Sequence, residues 1–142
     1  MSKGAGLLAA SFVILAFFGM TGCTDTKETV LSGGDQVRLR GIQSRRFDTT
    51  DKNKTLRTAM ATLQDLGFVI DDADETLGTV SATKLDNYEL RMTVTVRPLG
   101  QTQMVVRANA QYNLKAVEDP ETYQQFFNAL EKAMFLTAQQ IE

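Results

Sequence analysis

The 142-residue chain is 43% hydrophobic and 23% charged, a composition that fits one ordinary globular domain with a single core. A formal net charge of −2 leaves no basic surplus and argues against nucleic acid as a partner. With one Cys, no His and no Trp, the chain has no means to form an internal disulfide, a His-based metal site or a His-dependent catalytic triad.

The first segment, residues 1–22, has the layout of an export signal: Lys3 as the positive start, an apolar run from Leu7 to Phe18, then the small-residue stretch Gly19-Met20-Thr21-Gly22. The run is 12 residues long. As a helix that is about 18 Å, short of the roughly 20 residues needed to cross a bilayer. Gly4-Ala5-Gly6-Leu7-Leu8-Ala9 imitates a dinucleotide-binding fingerprint, but no strand precedes it and it lies within the leader.

Cys23 follows the leader directly, and a lone Cys in an exported protein is a free thiol, an intermolecular bridge or a modified residue. Met20-Thr21-Gly22-Cys23 resembles the lipobox of bacterial lipoproteins, with Met20 where Leu is more usual. The resemblance implies that Cys23 carries a diacylglycerol, that cleavage falls before it and that its new amino group is acylated. Two or three acyl chains give durable membrane attachment, whereas one holds only marginally. Removal of Lys3 with the leader would take the formal charge to −3. In enterobacterial lipoproteins an Asp directly after the Cys retains the protein in the inner membrane. Here Thr24 holds that place and Asp25 comes one later, so the resemblance implies the periplasmic face of the outer membrane.

Residues 23–36 then read as the lipidated Cys and a flexible tether. Thr24 to Gln36 is polar, contains Gly33-Gly34 and lacks helical or strand periodicity. Its 13 residues reach at most about 45 Å, which keeps the domain close to the membrane.

Residues 37–142 carry the periodicity of an α+β domain. Val37-Arg38-Leu39-Arg40-Gly41-Ile42, continued by Arg45, Arg46 and Phe47, alternates and predicts a strand ending near Phe47. Asp51 or Asn53 is placed to cap a helix with Leu56, Ala59, Met60, Leu63 and Leu66 on one face and Gly67 as its stop. Asn53-Lys54-Thr55 matches a glycosylation sequon that a bacterial lipoprotein would leave unused.

Phe68-Val69-Ile70 and Leu77 to Lys84 predict two short strands, with acidic Asp71 to Glu75 as the turn between them. That acidic run lacks the glycine and distal glutamate of an EF-hand loop, so no metal is expected there. From Tyr88 to Arg97 the alternation is strongest: Tyr88, Leu90, Met92, Val94 and Val96 share one face. Pro98-Leu99-Gly100 turns the chain, and Met104, Val106, Ala108, Ala110 and Tyr112 line the inner face of the following strand. Asp119-Pro120 opens a last helix whose apolar side holds Tyr123, Phe126, Phe127, Leu130, Ala133, Met134 and Ile141.

These elements predict an antiparallel sheet of about four to five strands packed against two helices. Arg46-Phe47, Leu66-Gly67-Phe68-Val69-Ile70 and Leu77-Gly78-Thr79-Val80 resemble the helix-then-strand passage of the helix-grip domains in the accessory lipoprotein C of the β-barrel assembly machinery. The likeness implies a helix-grip-like fold, and fold analogy alone does not establish a function.

No catalytic constellation stands out. Ser44 and Ser81 have no His to activate them, and neither Lys84 nor Lys115 sits in a Ser-Lys motif, so no enzyme and no cofactor is expected. The expected function is a non-catalytic interaction or envelope-assembly module. Its partners would be the membrane, through the lipid anchor, and other envelope proteins. Its candidate surface is the wet sheet face with Arg91, Thr93, Thr95, Arg97, Arg107, Asn109 and Gln111, residues that equally serve to solvate a sheet. The alternative is a carrier of a small apolar or lipid ligand held between sheet and last helix by Tyr88, Tyr112, Phe126 and Phe127; a pocket of several hundred Å³ would mark it.

Overall fold

The computed structural model describes residues 33–139, apart from Asn87. Cys23, the leader, most of the tether and Ile141 lie outside the described residues. In chain order the elements are α1 (Gly33–Ile42), β1 (Ser44–Phe47), α2 (Lys52–Asp65), β2 (Val69–Asp74), β3 (Thr79–Asp86), β4 (Tyr88–Leu99), β5 (Gln103–Tyr112), β6 (Lys115–Ala116) and α3 (Pro120–Gln139).

All strand pairs are antiparallel. The sheet runs β1-β5-β4-β3-β2, with β6 beside β1 on the far edge of β5. The α+β class and the antiparallel sheet are as the sequence predicts; the sheet is larger by a strand or two and a third helix is present.

Alternation along β4 and β5 puts Met92, Val94, Val96, Met104, Val106, Ala108 and Ala110 on one buried face. Onto this face pack Leu56, Ala59 and Leu63 from α2 and Tyr123, Phe126, Phe127 and Leu130 from α3. Each large side chain buried here contributes about 1.5–3 kcal/mol. Among the described residues no helix packs on the other face, where the side chains are exposed or half-buried.

Helix α2 is bounded by its own chemistry. Asp51 caps it, accepting a 2.8 Å bond from the Lys54 amide. At the other end Phe68 N donates to Leu63 O and Gly67 N to Gln64 O, with Gly67 at φ +86°, and buried Leu63 meets buried Phe68. This is a Schellman stop, in which glycine takes the left-handed position and an apolar contact closes the turn. The helix also buries Thr55, Thr58 and Thr62, whose hydroxyls bond to the carbonyls of Asp51, Lys54 and Thr58. Because each hydroxyl finds a carbonyl one turn back, these polar residues enter the helix interface without an unsatisfied group.

Tyr123 closes a gap in the sheet. Gln43 O accepts from Ala108 N before β1 begins, and Val117 N donates to Ala110 O after β6 ends. Between them the Ala110 amide points at no strand and donates instead to the Tyr123 hydroxyl at 3.2 Å; that hydroxyl also accepts from Gln43 Nε2 and donates to Val117 O at 2.7 Å. A phenol from the core helix thus stands in for a missing stretch of β-ladder.

Three expectations are corrected. The alternation from Val37 to Ile42 is helical: α1 presents Leu39 and Ile42, three apart, to the domain while Val37 is exposed, and only Ser44–Phe47 is strand. This also makes Gly33 to Gln36 helix, not tether. The acidic run does not turn at Asp71. Strand β2 continues through Asp74 with a bulge at Asp71, and the turn is Glu75 to Gly78. An edge strand with a wet face accommodates carboxylates, and they deter pairing with another chain. Finally, β4 continues through Pro98 and Leu99, so the turn is Gly100 to Thr102 and not Pro98 to Gly100, while Tyr88 and Tyr112 keep to the inner face but are exposed.

Candidate functional site

The open face of the sheet gathers the surface residues expected from the alternation. Cross-strand register places Arg91 opposite Gln111, Thr93 opposite Asn109, and Thr95 opposite Arg107, so six of the seven form three rungs on one face. Arg97 lies one step further, opposite Val105. All are exposed except Thr93 and Thr95, which are half-buried.

Charge is graded across this face. On the β2 edge stand Asp71, Asp72 and Asp74; Thr83 Oγ1 donates to Asp71 at 2.6 Å. Hydroxyls fill the middle, with Ser81 and Thr93 joined at 3.2 Å. On the opposite side β1 adds Arg46, which flanks Val105 on the side away from Arg97, and Ser44 across from Arg107. Arg46, Arg97 and Arg107 form a cationic corner with no ion pair to another described residue. Arg91 differs, being held by Glu89 at 3.1 Å. Arg45 points the other way, over the Phe127 ring at 5.6 Å and toward Glu131 at 3.5 Å. Of the four arginines near the start of the domain, only Arg46 joins this face; Arg38 and Arg40 lie on α1.

On the inner face, beyond the end of the core, a cleft of about 220 Å³ is lined by Leu66, Phe68, Leu90, Met92 and Phe126, with Tyr88, Tyr112 and Lys84 among its remaining walls. The two tyrosines meet edge to face, 6.1 Å apart. Lys84 Nζ stands 6.0 Å from the centre of the Phe68 ring. Tyr88, Tyr112 and Phe126 therefore do share a cavity, while Phe127 is core and takes no part. Leu66, Phe68 and Lys84 were not foreseen as lining. Their signal was the position of Lys84 on the inward phase of β3, in line with Ala82.

Ser81 and Lys84 lie three apart on β3, on opposite faces, and Ser44 sits on β1 away from both lysines named above. Among the described residues no three His, Cys, Asp or Glu side chains converge to hold a metal ion, and no helix is long and apolar enough to cross a membrane. No protein-family model matches the chain, and no curated protein matches it.

Proposed function

We propose that the chain is a bacterial lipoprotein, anchored through acylated Cys23 on the periplasmic face of the outer membrane. Its helix-grip-like domain, which opens with α1, acts as a non-catalytic module that binds another envelope protein. The observation that supports the binding surface is the cationic corner of Arg46, Arg97 and Arg107, three charges with no ion pair among the described residues, on a sheet face that no described helix covers. An acidic protein surface is the complementary partner, and charge complementarity fixes orientation and raises the rate of encounter.

The test is a photo-crosslinking residue placed at Thr95 or Asn109 in the lipidated protein within its native envelope. A discrete protein adduct from these positions, lost in the Arg97→Glu/Arg107→Glu background, is expected. Adducts from exposed α2 positions and none from the sheet face would overturn the assignment. Incorporation of labelled palmitate, lost in Cys23→Ser, tests the anchor separately.

A second reading, carriage of a small amphiphile, is favoured by the cleft alone. At about 220 Å³ it is below the usual range for a ligand pocket and admits only a short chain, with the Lys84 ammonium at hand for an anionic head. Titration with octanoate, followed through the amide resonances of Leu90 and Met92, would leave those signals unmoved if the cleft is only a packing hollow.

A further inference from the structure

One end of the sheet exposes large apolar side chains on both of its faces. Here the start of β4 and the β5–β6 connection lie side by side, joined by the Asn113 N to Glu89 O bond. Tyr88 and Tyr112 flank the inner side, while Leu85, paired with Glu89, is on the outer phase. Leu114 borders an outer hollow with Glu89, Arg91 and Gln111. Leu85 is 82% exposed, Leu114 88% and Tyr88 63%. Burial in the core explains none of these three.

Leu114 also occupies a backbone conformation that disfavours it. In the two-residue turn Asn113-Leu114 both residues have positive φ, 45° and 89°. Asn tolerates this region and Gly is the usual occupant of the second place; Leu is strained there. A large apolar side chain that is both exposed and held in a strained turn gives the fold nothing in return, which points to a contact outside the domain.

The same end receives the chain from its N-terminal side. Helix α1 rests on β1 and α3, and its Asp35 and Arg38 share a hollow with Glu118 and Pro120, just after β6. Gly33 is ten residues after Cys23, a reach of at most about 35 Å.

We propose that this end of the domain docks on a phospholipid bilayer, with Leu85 and Leu114 entering the acyl boundary and Tyr88 and Tyr112 at headgroup level. Tyrosine suits that depth because its ring is apolar and its hydroxyl remains wet. The exposed contact is built from Leu85, Leu114 and the rings of Tyr88 and Tyr112, so apolar insertion and not attraction to anionic lipid drives it. The preference for lipid over protein rests on the lipid-anchored reading of Cys23. A tether this short supplies an effective concentration in the millimolar range, so a weak contact suffices to orient the domain.

The test uses residues 31–142, a compact unit that contains the whole core and lacks both leader and Cys23, so it does not depend on lipidation. Since the chain has no Trp, Leu114→Trp introduces a single reporter. With phosphatidylcholine–phosphatidylglycerol vesicles its emission should shift to the blue and be quenched by shallowly brominated lipid, and about 0.5 M salt, where the Debye length is under about 5 Å, should not reverse it. Leu85→Asp/Leu114→Asp, both exposed positions, should lower vesicle partitioning at least tenfold while the cooperative melt is kept. Emission that stays at its aqueous position at millimolar lipid, partitioning unchanged by the double substitution, or binding abolished by salt would each overturn the proposal. Failure of palmitate labelling with vesicle binding intact would remove the anchor and leave this contact standing.

Discussion

The two ends of the sheet both use positive φ, and they use it differently. At one end Gly78 turns β2 into β3 at φ +70°, so close to β4 that an added Cβ would lie 2.5 Å from Val96 O. The turn is tied on every side: Gly78 O accepts from Val96 N, Gly78 N donates to Asp74 O, Leu77 N donates to the Asp74 carboxylate, and Lys52 Nζ donates to Thr76 O. At the other end Leu114 adopts φ 89° with its side chain in the open. Glycine at the first end is required by crowding inside the molecule. Leucine at the second is explained by nothing inside it, and the contrast separates a position that serves the fold from one that faces outward.

Both ends hang on the same core, and the largest expected effect tests that core. Phe127 is fully buried between α3 and the sheet. Phe127→Ala should cost about 3–5 kcal/mol through lost transfer energy and a residual cavity, read by urea denaturation. A loss below about 1 kcal/mol would mean that the α3 stripe is not core and that exposure at the tip says little.

Next comes Gly78→Ala, expected to destabilise by at least about 2 kcal/mol, since the strained φ alone costs about 1–3 kcal/mol and the Val96 carbonyl must also move. Gly100 sharpens the measurement. It has φ +66° with nothing within 4 Å of an added Cβ. Gly100→Ala should therefore report the backbone term alone, and the difference between the two denaturation midpoints isolates the close approach. Equal losses at both positions would remove crowding as the reason for Gly78.

Local chemistry made much of this fold legible. The Asp51 cap, the Gly67 stop, the Asp119-Pro120 helix start and the alternation of β4 and β5 are decided by residues within a few places of one another, and each is where the sequence predicts it. The misreadings arose where neighbours in space decide. Val37, Leu39 and Ile42 fit either period, and the surface offered by β1 and α3 selects the helix. Three carboxylates survive in β2 because it is an edge strand, a fact of topology that its own residues do not announce. Thr55, Thr58 and Thr62 carry no apolar signal, and their burial rests on bonds to preceding carbonyls. The candidate surface was readable as one phase of two strands, but its cationic corner needs Arg46, brought in by a pairing some sixty residues distant in sequence, of which Arg46 with Val105 is the contact.

The smallest expected effect has the opposite sign and bears most directly on the contrast between the ends. Leu114→Gly removes a residue from a backbone conformation that costs about 1–3 kcal/mol in the folded state. Against this, glycine has more freedom to lose on folding, about 0.5–1 kcal/mol. The exposed side chain gives up little packing in leaving. The balance is a net stabilisation of about 0.5–1 kcal/mol, a rise in the melting midpoint of about 2–6 °C for a domain of this size. Leu85→Asn, exposed but without positive φ, should leave the midpoint within about 0.5 kcal/mol of the parent. If Leu114→Gly instead lowers the midpoint, the leucine contributes to the fold after all, and the two ends differ in crowding but not in purpose.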